Sequence, residues 1–279
     1  MKKTLPSKER ILITGLNALT GWHLYQTASR AHNVIGTYRK KHPLLKGRAF
    51  HRIDLDNQDE VSAFISRIKP TVIIHARSIC DLDVCEETPW LAEKINIEGT
   101  KKIIQAARAL PQLKKFVFMS TDHVFDGTAG RYHELSPPKP KHVFGRTKRE
   151  AEKMVSSSAL PHLIIRPGLV LGDSLQGTIG PQDFLLSRLK KGKPTTLFTD
   201  EWRTPIPAAV LAEKVLELAL SKATGIFHVA GSRVQNRYEI GRQLAEEHAL
   251  PKRFIIPRRR AEDAWAHIRP EHLTLISLK

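Results

Sequence analysis

The sequence predicts an α/β fold, a doubly wound parallel sheet with a smaller C-terminal lobe. Short β-branched runs alternate with helical stretches from Arg10 onward. The spacing between runs suits crossover helices and parallel pairing rather than hairpins. A glycine-bearing turn also joins the first run to the first helix within 25 residues, where α/β sheets hold phosphate groups.

Taken in order, Arg10–Thr14 reads as a buried strand and Leu19–Ala31 as a helix. Asn33–Tyr38 and Ala49–Ile53 read as strands, Val61–Ile68 as a helix and Thr71–His75 as the next strand. One long helix is expected over Trp90–Ala109, then a strand at Lys115–Ser120, a helix through Glu150–Ser156 and a strand at Leu163–Pro167. Beyond a Gly/Ser/Gln-rich loop at Gly172–Gly180, helices are expected at Pro181–Lys190, Val210–Leu220 and Tyr238–His248, with a strand at Gly225–Ala230. The expected division is a dinucleotide-binding Rossmann domain over residues 1–168 and a substrate lobe over 169–279 whose strands and helices return to the first sheet.

Composition excludes several classes. With 279 residues and 41% hydrophobic content the chain can bury a full core. No apolar run reaches the roughly 18 residues that span a bilayer. After Lys2 and Lys3 the apolar stretch Ile11-Leu12-Ile13 is too short for a signal peptide. A cytoplasmic protein without a membrane partner is therefore expected. Cys80 and Cys85 are the only cysteines; they form no disulfide scaffold, and Cys80-x4-Cys85 supplies too few ligands for a metal. Lys and Arg number 45 against 28 acids, a net charge of +17. That field favours polyanions. The basic residues are scattered without interleaved aromatics, which disfavours a nucleic-acid partner and leaves small anionic ligands such as nucleotides.

The turn after the first strand reads Thr14-Gly15-Leu16-Asn17-Ala18-Leu19-Thr20-Gly21. Glycines there let backbone N–H groups approach a pyrophosphate at a helix N-terminus. Enzymes that use NAD(H) place an acid at the end of the second strand for the ribose 2′-OH. Here that strand runs into Arg39-Lys40-Lys41, which suits the 2′-phosphate of NADP(H) and makes NAD(H) the less favoured cofactor. Asp54 and Leu55, after the third strand, are expected near the adenine.

From these residues onward the chain resembles the extended short-chain dehydrogenases/reductases. Within them it resembles the RmlD-like group of dTDP-4-dehydrorhamnose reductases, to which the β subunit of methionine adenosyltransferase also belongs. The resemblance runs through Ile13-Thr14-Gly15, Asp83-Val84-Cys85-Glu86, Asn96-Ile97-Glu98-Gly99-Thr100, Ser120-Thr121-Asp122-His123-Val124-Phe125-Asp126-Gly127, Phe144-Gly145-Arg146-Thr147-Lys148, Arg166-Pro167-Gly168, Thr204-Pro205 and Arg269-Pro270. It implies a hydroxyl at Thr121 for the substrate carbonyl, and at Lys148 the lysine that holds the nicotinamide ribose and tunes the catalytic tyrosine. Phe144 stands where that tyrosine belongs. No other tyrosine supplies the spacing: four residues after Tyr25, Tyr38, Tyr132 and Tyr238 stand Ser29, His42, Ser136 and Arg242. His123 also replaces a residue commonly Tyr, and His75-Ala76-Arg77 replaces a small-residue run beside the cofactor.

The resemblance thus implies an NADP(H)-binding oxidoreductase homologue whose ligand is a nucleotide sugar, with weak or no reductase activity because Phe144 has no proton to give. Two alternatives stand beside it. One is an active 4-keto-sugar reductase with another donor, His123 above all, with Tyr132 and His142 also nearby in sequence. The other is a regulatory partner of another enzyme. Trp202 and Arg203 are expected to meet the substrate base and diphosphate. A homodimer through Trp90–Ala109 and Gly145–Ser157 is also expected; light scattering that reports a monomer at micromolar concentration would contradict it.

Overall fold

The computed structural model describes residues 8–279; Lys2 and Lys3, weighed above as a leader, lie outside the described residues. β1 (Arg10–Thr14) leads into α1 (Leu19–Ala28), followed by β2 (Asn33–Tyr38), β3 (Phe50–Arg52), α2 (Gln58–Ile68) and β4 (Val72–His75). Two short helices, α3 (Leu82–Glu87) and α4 (Pro89–Glu93), then a π-helical turn at Lys94–Glu98, precede α5 (Gly99–Arg108) and β5 (Lys115–Met119). Next come α6 (Val143–Ser156), β6 (His162–Pro167), β7 (Val170–Leu171), α7 (Pro181–Lys190), β8 (Thr195–Phe198), β9 (Trp202–Arg203), β10 (Ile206–Pro207) and α8 (Ala208–Leu220). β11 (Gly225–Val229), β12 (Gln235–Asn236), α9 (Arg237–Glu247), β13 (Ile255–Arg258) and β14 (His272–Leu273) complete the chain.

Seven strands form one sheet in the order β11-β6-β5-β4-β1-β2-β3, and every pairing in it is parallel. Alternation along the strands fills two cores. Ile11, Ile13, Ile74, Val117 and Ile165 face one side, with Leu24 of α1 and Leu211 and Val215 of α8. Leu12, Ile73, Phe116, Phe118 and Ile164 face the other, against Phe64 of α2, Ile103 of α5 and Val155 of α6. This is the doubly wound α/β arrangement read from the sequence. A third cluster joins Leu185, Leu186 and Leu189 of α7 to Ile240 and Leu244 of α9 and Ile255 of β13, and makes the smaller lobe. The chain crosses between the lobes, since α8 packs on α1 and β11 closes the sheet beside β6. No helix among the described residues is long and apolar enough to cross a membrane.

Several boundaries differ from the periodicity. α1 stops at Ala28, not Ala31, because the N–H groups of Ala31 and His32 turn back onto Ala28 O before β2 begins. α2 begins at Gln58, not Val61, since the Asn57 side chain accepts from Asp59 and Glu60 N–H. The single helix expected over Trp90–Ala109 is broken by the π turn, a distortion frequent at functional sites. Asn96 sits in that turn, 1% exposed. Its amide accepts from Ile79 N and Ser78 Oγ and donates to Ile79 O and Thr147 Oγ1, tying the segment after β4 to α6.

His75, fully buried at the end of β4, accepts from Thr14 Oγ1 at 2.6 Å and donates to Thr100 Oγ1 at 3.1 Å. Burial pushes its imidazole down to about 3, with Lys148 and Arg77 adding to the effect. The unfolded chain therefore takes up a proton below about pH 6.5 that the folded chain refuses. The stability is fully present above that pH and is lost as pH falls toward 3. His75 alone should cost about 2 kcal/mol by pH 5. Buried Asp122, raised to about 6, acts in the opposite sense. Thermal melts of His75→Asn should therefore show a shallower decline of Tm between pH 7 and 5 than the unsubstituted chain. An unchanged slope would contradict the assignment.

Candidate active site

The loop after β1 is shaped by Gly15, whose φ of +85° favours glycine. A Cβ there would lie 2.7 Å from the backbone of Arg77, so the β1 and β4 loops meet at this point. Ala18 caps α1 without a side-chain bond, which leaves the first-turn N–H groups around Leu19, Thr20 and Gly21 without a side-chain acceptor. Asn17 joins this loop to the end of β2, donating to Lys40 O and accepting from Arg39 N.

Above the loop lies a cleft of about 840 Å³ whose lining includes Gly15, Asn17, Ala18, Arg39, Lys40, Leu55 and Arg77. It continues into a second cleft of about 770 Å³, because Asp81, Thr178 and Ile179 line both. Ala76 is buried beside Gly15. Asp54 is turned aside: its carboxylate accepts from Asp56 N in a local turn, and Leu55 rather than Asp54 reaches the cleft wall.

Thr121, Phe144, Lys148 and His123 converge at the end of β5. Gly145 permits this, since a Cβ there would meet His123 O at 2.2 Å; α6 therefore presses directly on the loop after β5. Phe144 and Lys148, four residues apart, share one helix face. Thr121 Oγ1 donates to Asp122 Oδ1 at 3.1 Å and accepts from His123 N at 3.2 Å. Lys148 is 2% exposed and donates to Met119 O at 2.6 Å; burial lowers its ammonium to about 8, against the opposing pull of Glu152. Phe144 is 6% exposed and packs with Cys85, Ala92 and Val143.

His142 caps α6 and stacks on the Phe144 ring. The hydrogen bonds assign its tautomer. Gly145 N donates to His142 Nδ1 at 3.1 Å, so His142 carries its proton on Nε2, 2.8 Å from His123 Nδ1. Neutral His123 must then hold its proton on Nε2. Burial, first of all, pushes both rings down, His142 to about 3 and His123 well below its ordinary range. Sequence reasoning named both histidines but not this pairing, which depends on a fold-back of 19 residues.

Trp202 and Arg203, expected to meet the substrate, line neither cleft. Trp202 is half-buried and stacks on His272 in a small sheet made of β12, β9 and β14. Arg203 is 2% exposed, paired with Glu201, and its guanidinium donates to Trp202 O, Glu271 O and Pro270 O. Arg237 and Arg269 line the second cleft instead, with Phe184 and Phe198. Arg269 pairs with Asp83 at 3.0 Å. Arg237 has no side-chain partner among the described residues and lies near Glu201, Arg203, Arg269 and Asp122. Sequence reasoning missed Arg237 and named Arg269 only within the Arg269-Pro270 pair.

The family described as RmlD substrate binding domain matches residues 9–278. A probable low-salt glycan biosynthesis reductase of Haloferax volcanii is 30% identical over 84% of this chain and 78% of its own. Methionine adenosyltransferase 2 subunit beta of Xenopus laevis is 28% identical over 91% of this chain and 76% of its own. The crystal structure of dTDP-4-dehydrorhamnose reductase from Bacillus anthracis in complex with NADP superposes with a TM-score of 0.84, at 22% identity over 96% of this chain and 90% of that one.

Proposed function

The chain belongs to the RmlD substrate binding domain family, and from that premise we propose that it binds NADP(H) and a nucleotide sugar in its joined clefts while reducing the sugar slowly or not at all. One observation carries this reading: the side chain at the tyrosine position, Phe144, has no hydroxyl from which a proton can pass to the substrate oxygen. Phe144 keeps the ring of a tyrosine without its hydroxyl. His123 has an Nε2–H, but its supply line runs through His142 to the Gly145 amide, which has no proton to pass on. On this reading Thr121 Oγ1, with its hydroxyl turned from Asp122, would hold a carbonyl oxygen, and Lys148 would hold the nicotinamide ribose. NADPH, when bound, supplies hydride to the carbonyl carbon. The oxygen then needs a proton, and a positioned general acid is worth about 10²- to 10⁴-fold in rate.

The residues present fit the cofactor. The glycine-shaped loop, the open α1 terminus and the Arg39–Lys40–Lys41 wall all face one cleft. Arg39 is assigned to the 2′-phosphate, and Arg237 and Arg269 to the diphosphate of the sugar nucleotide, with Phe184 and Phe198 beside its base. In calorimetry NADPH should bind more tightly than NADH. Arg39→Ala should remove about 1–3 kcal/mol of that preference, the scale of a charge-assisted hydrogen bond; equal affinities of the unsubstituted chain for the two cofactors would overturn the assignment.

The likeness to methionine adenosyltransferase 2 subunit beta along 91% of the chain supports a second reading, in which the loaded cofactor site serves a regulatory partner enzyme. The residues 1–168 and 169–279 division proposed from sequence suits either reading.

A further inference from the structure

We propose that Arg77 holds the adenine base of the dinucleotide, as a wall of the cofactor cleft separate from the phosphate-reading Arg39; this rests on the cofactor reading above. Arg77 follows β4, and its backbone touches the phosphate loop at Gly15. Its side chain, 13% exposed, stands in the cleft lining with Ile53, Leu55 and Ile95. Those three offer apolar surface, and a guanidinium among them suits an aromatic base better than a phosphate.

One edge of the guanidinium faces a carboxylate and another is buried. Nη2 lies 3.5 Å from Asp56 Oδ1, and Asp56 is shared with Lys94 at 3.2 Å. Nη1 is buried beside Gly99, whose added Cβ would stand 3.1 Å away, and has no hydrogen-bond partner. Burial disfavours the Arg77 charge, Asp56 supports it and Arg39 opposes it. A buried cation with one loose ion pair and an unused N–H costs folding free energy. With its edges turned to Asp56 and Gly99, the plane of the group is what remains to meet a ring in the cleft. Two cations then divide the adenosine end: Arg39 after β2 reads the 2′-phosphate, and Arg77 after β4 grips the base.

The test titrates the full chain with NADPH, NADH and 5′-ADP by calorimetry, for the unsubstituted protein, Arg77→Met, Arg77→Lys and Arg39→Ala, with a thermal melt of each. Arg77→Met keeps the stem and should weaken all three ligands by one common factor, about 5- to 30-fold, the range of a desolvated cation over a ring. Arg77→Lys keeps the charge without the plane and should also weaken all three by a common factor. Arg39→Ala should weaken NADPH alone. Unchanged affinities in folded Arg77→Met would overturn the proposal and leave Arg77 as an ion-pair partner of Asp56. A loss confined to NADPH would overturn it in favour of phosphate contact. If Arg77→Met does not fold, unweakened binding by Arg77→Lys overturns it. Failure of the unsubstituted chain to bind any of the three would remove the cofactor reading itself, a result distinct from either.

Discussion

Phe144→Tyr should raise the rate of 4-keto nucleotide-sugar reduction by about 10²- to 10⁴-fold, the usual value of a positioned general acid. The substitution adds one hydroxyl at the end of a ring that already packs in place, on the same helix face as Lys148. Burial holds the Lys148 ammonium near 8, and a cation on that face lowers the pKa of a neighbouring phenol toward the working range. Steady-state loss of NADPH absorbance with each protein gives the ratio, and a gain below tenfold would show that the missing hydroxyl is not what limits the reaction.

Glu152→Ala should destabilise the fold by about 3–5 kcal/mol, the cost of leaving a buried cation without its partner. Glu152 on α6 is fully buried and meets Arg166 of β6 through two hydrogen bonds of 2.8 and 2.7 Å, while also accepting from Ser120 at 2.6 Å and Arg149 at 3.0 Å. Arg166 is itself 1% exposed. At this chain length such a loss lowers Tm on the order of 10 °C. Pairing Glu152→Leu with Arg166→Met should recover much of it, since apolar replacements of similar size remove both charges at once. Chemical denaturation of the three variants decides the matter: a single Glu152→Ala as stable as the parent would mean Arg166 is hydrated. The pair also bears on the site, because Ser120 precedes Thr121 and is held by the same carboxylate.

The parallel sheet was legible because its signals are local. Ile11-Leu12-Ile13 and Val72-Ile73-Ile74 are buried on both faces and read as continuous apolar runs, and β1, the loop at Gly15 and α1 follow each other without interruption. Thr121, Phe144 and Lys148 were recognisable as a constellation from the resemblance, and the fold brings them together at the end of β5. What was not legible depends on distant contacts. Glu134 accepts from His228 N, Ser277 Oγ and Leu278 N and so fastens the C-terminal residues along the sheet's β11 edge; no window of sequence contains both halves of that clasp. The same holds for β8 with β13, which are 60 residues apart in register at Ile255 and Thr195. Arg203 looked like a ligand contact because an Arg after a Trp in a polar stretch carries no sign of burial. Only the fold shows that Glu201 and three carbonyls engage its Nη atoms, and that Arg237 and Arg269 stand in the cleft.

The most direct measurement of the central claim is a pre-steady-state assay at pH 7.5. The protein is loaded with NADPH, mixed with a 4-keto nucleotide sugar, and followed by absorbance for hydride transfer beside Phe144→Tyr and His123→Ala. The expected result is saturable NADPH binding in all three, with fast transfer in Phe144→Tyr alone. Rapid transfer in the unsubstituted protein that collapses in His123→Ala would contradict the account and make His123 the acid.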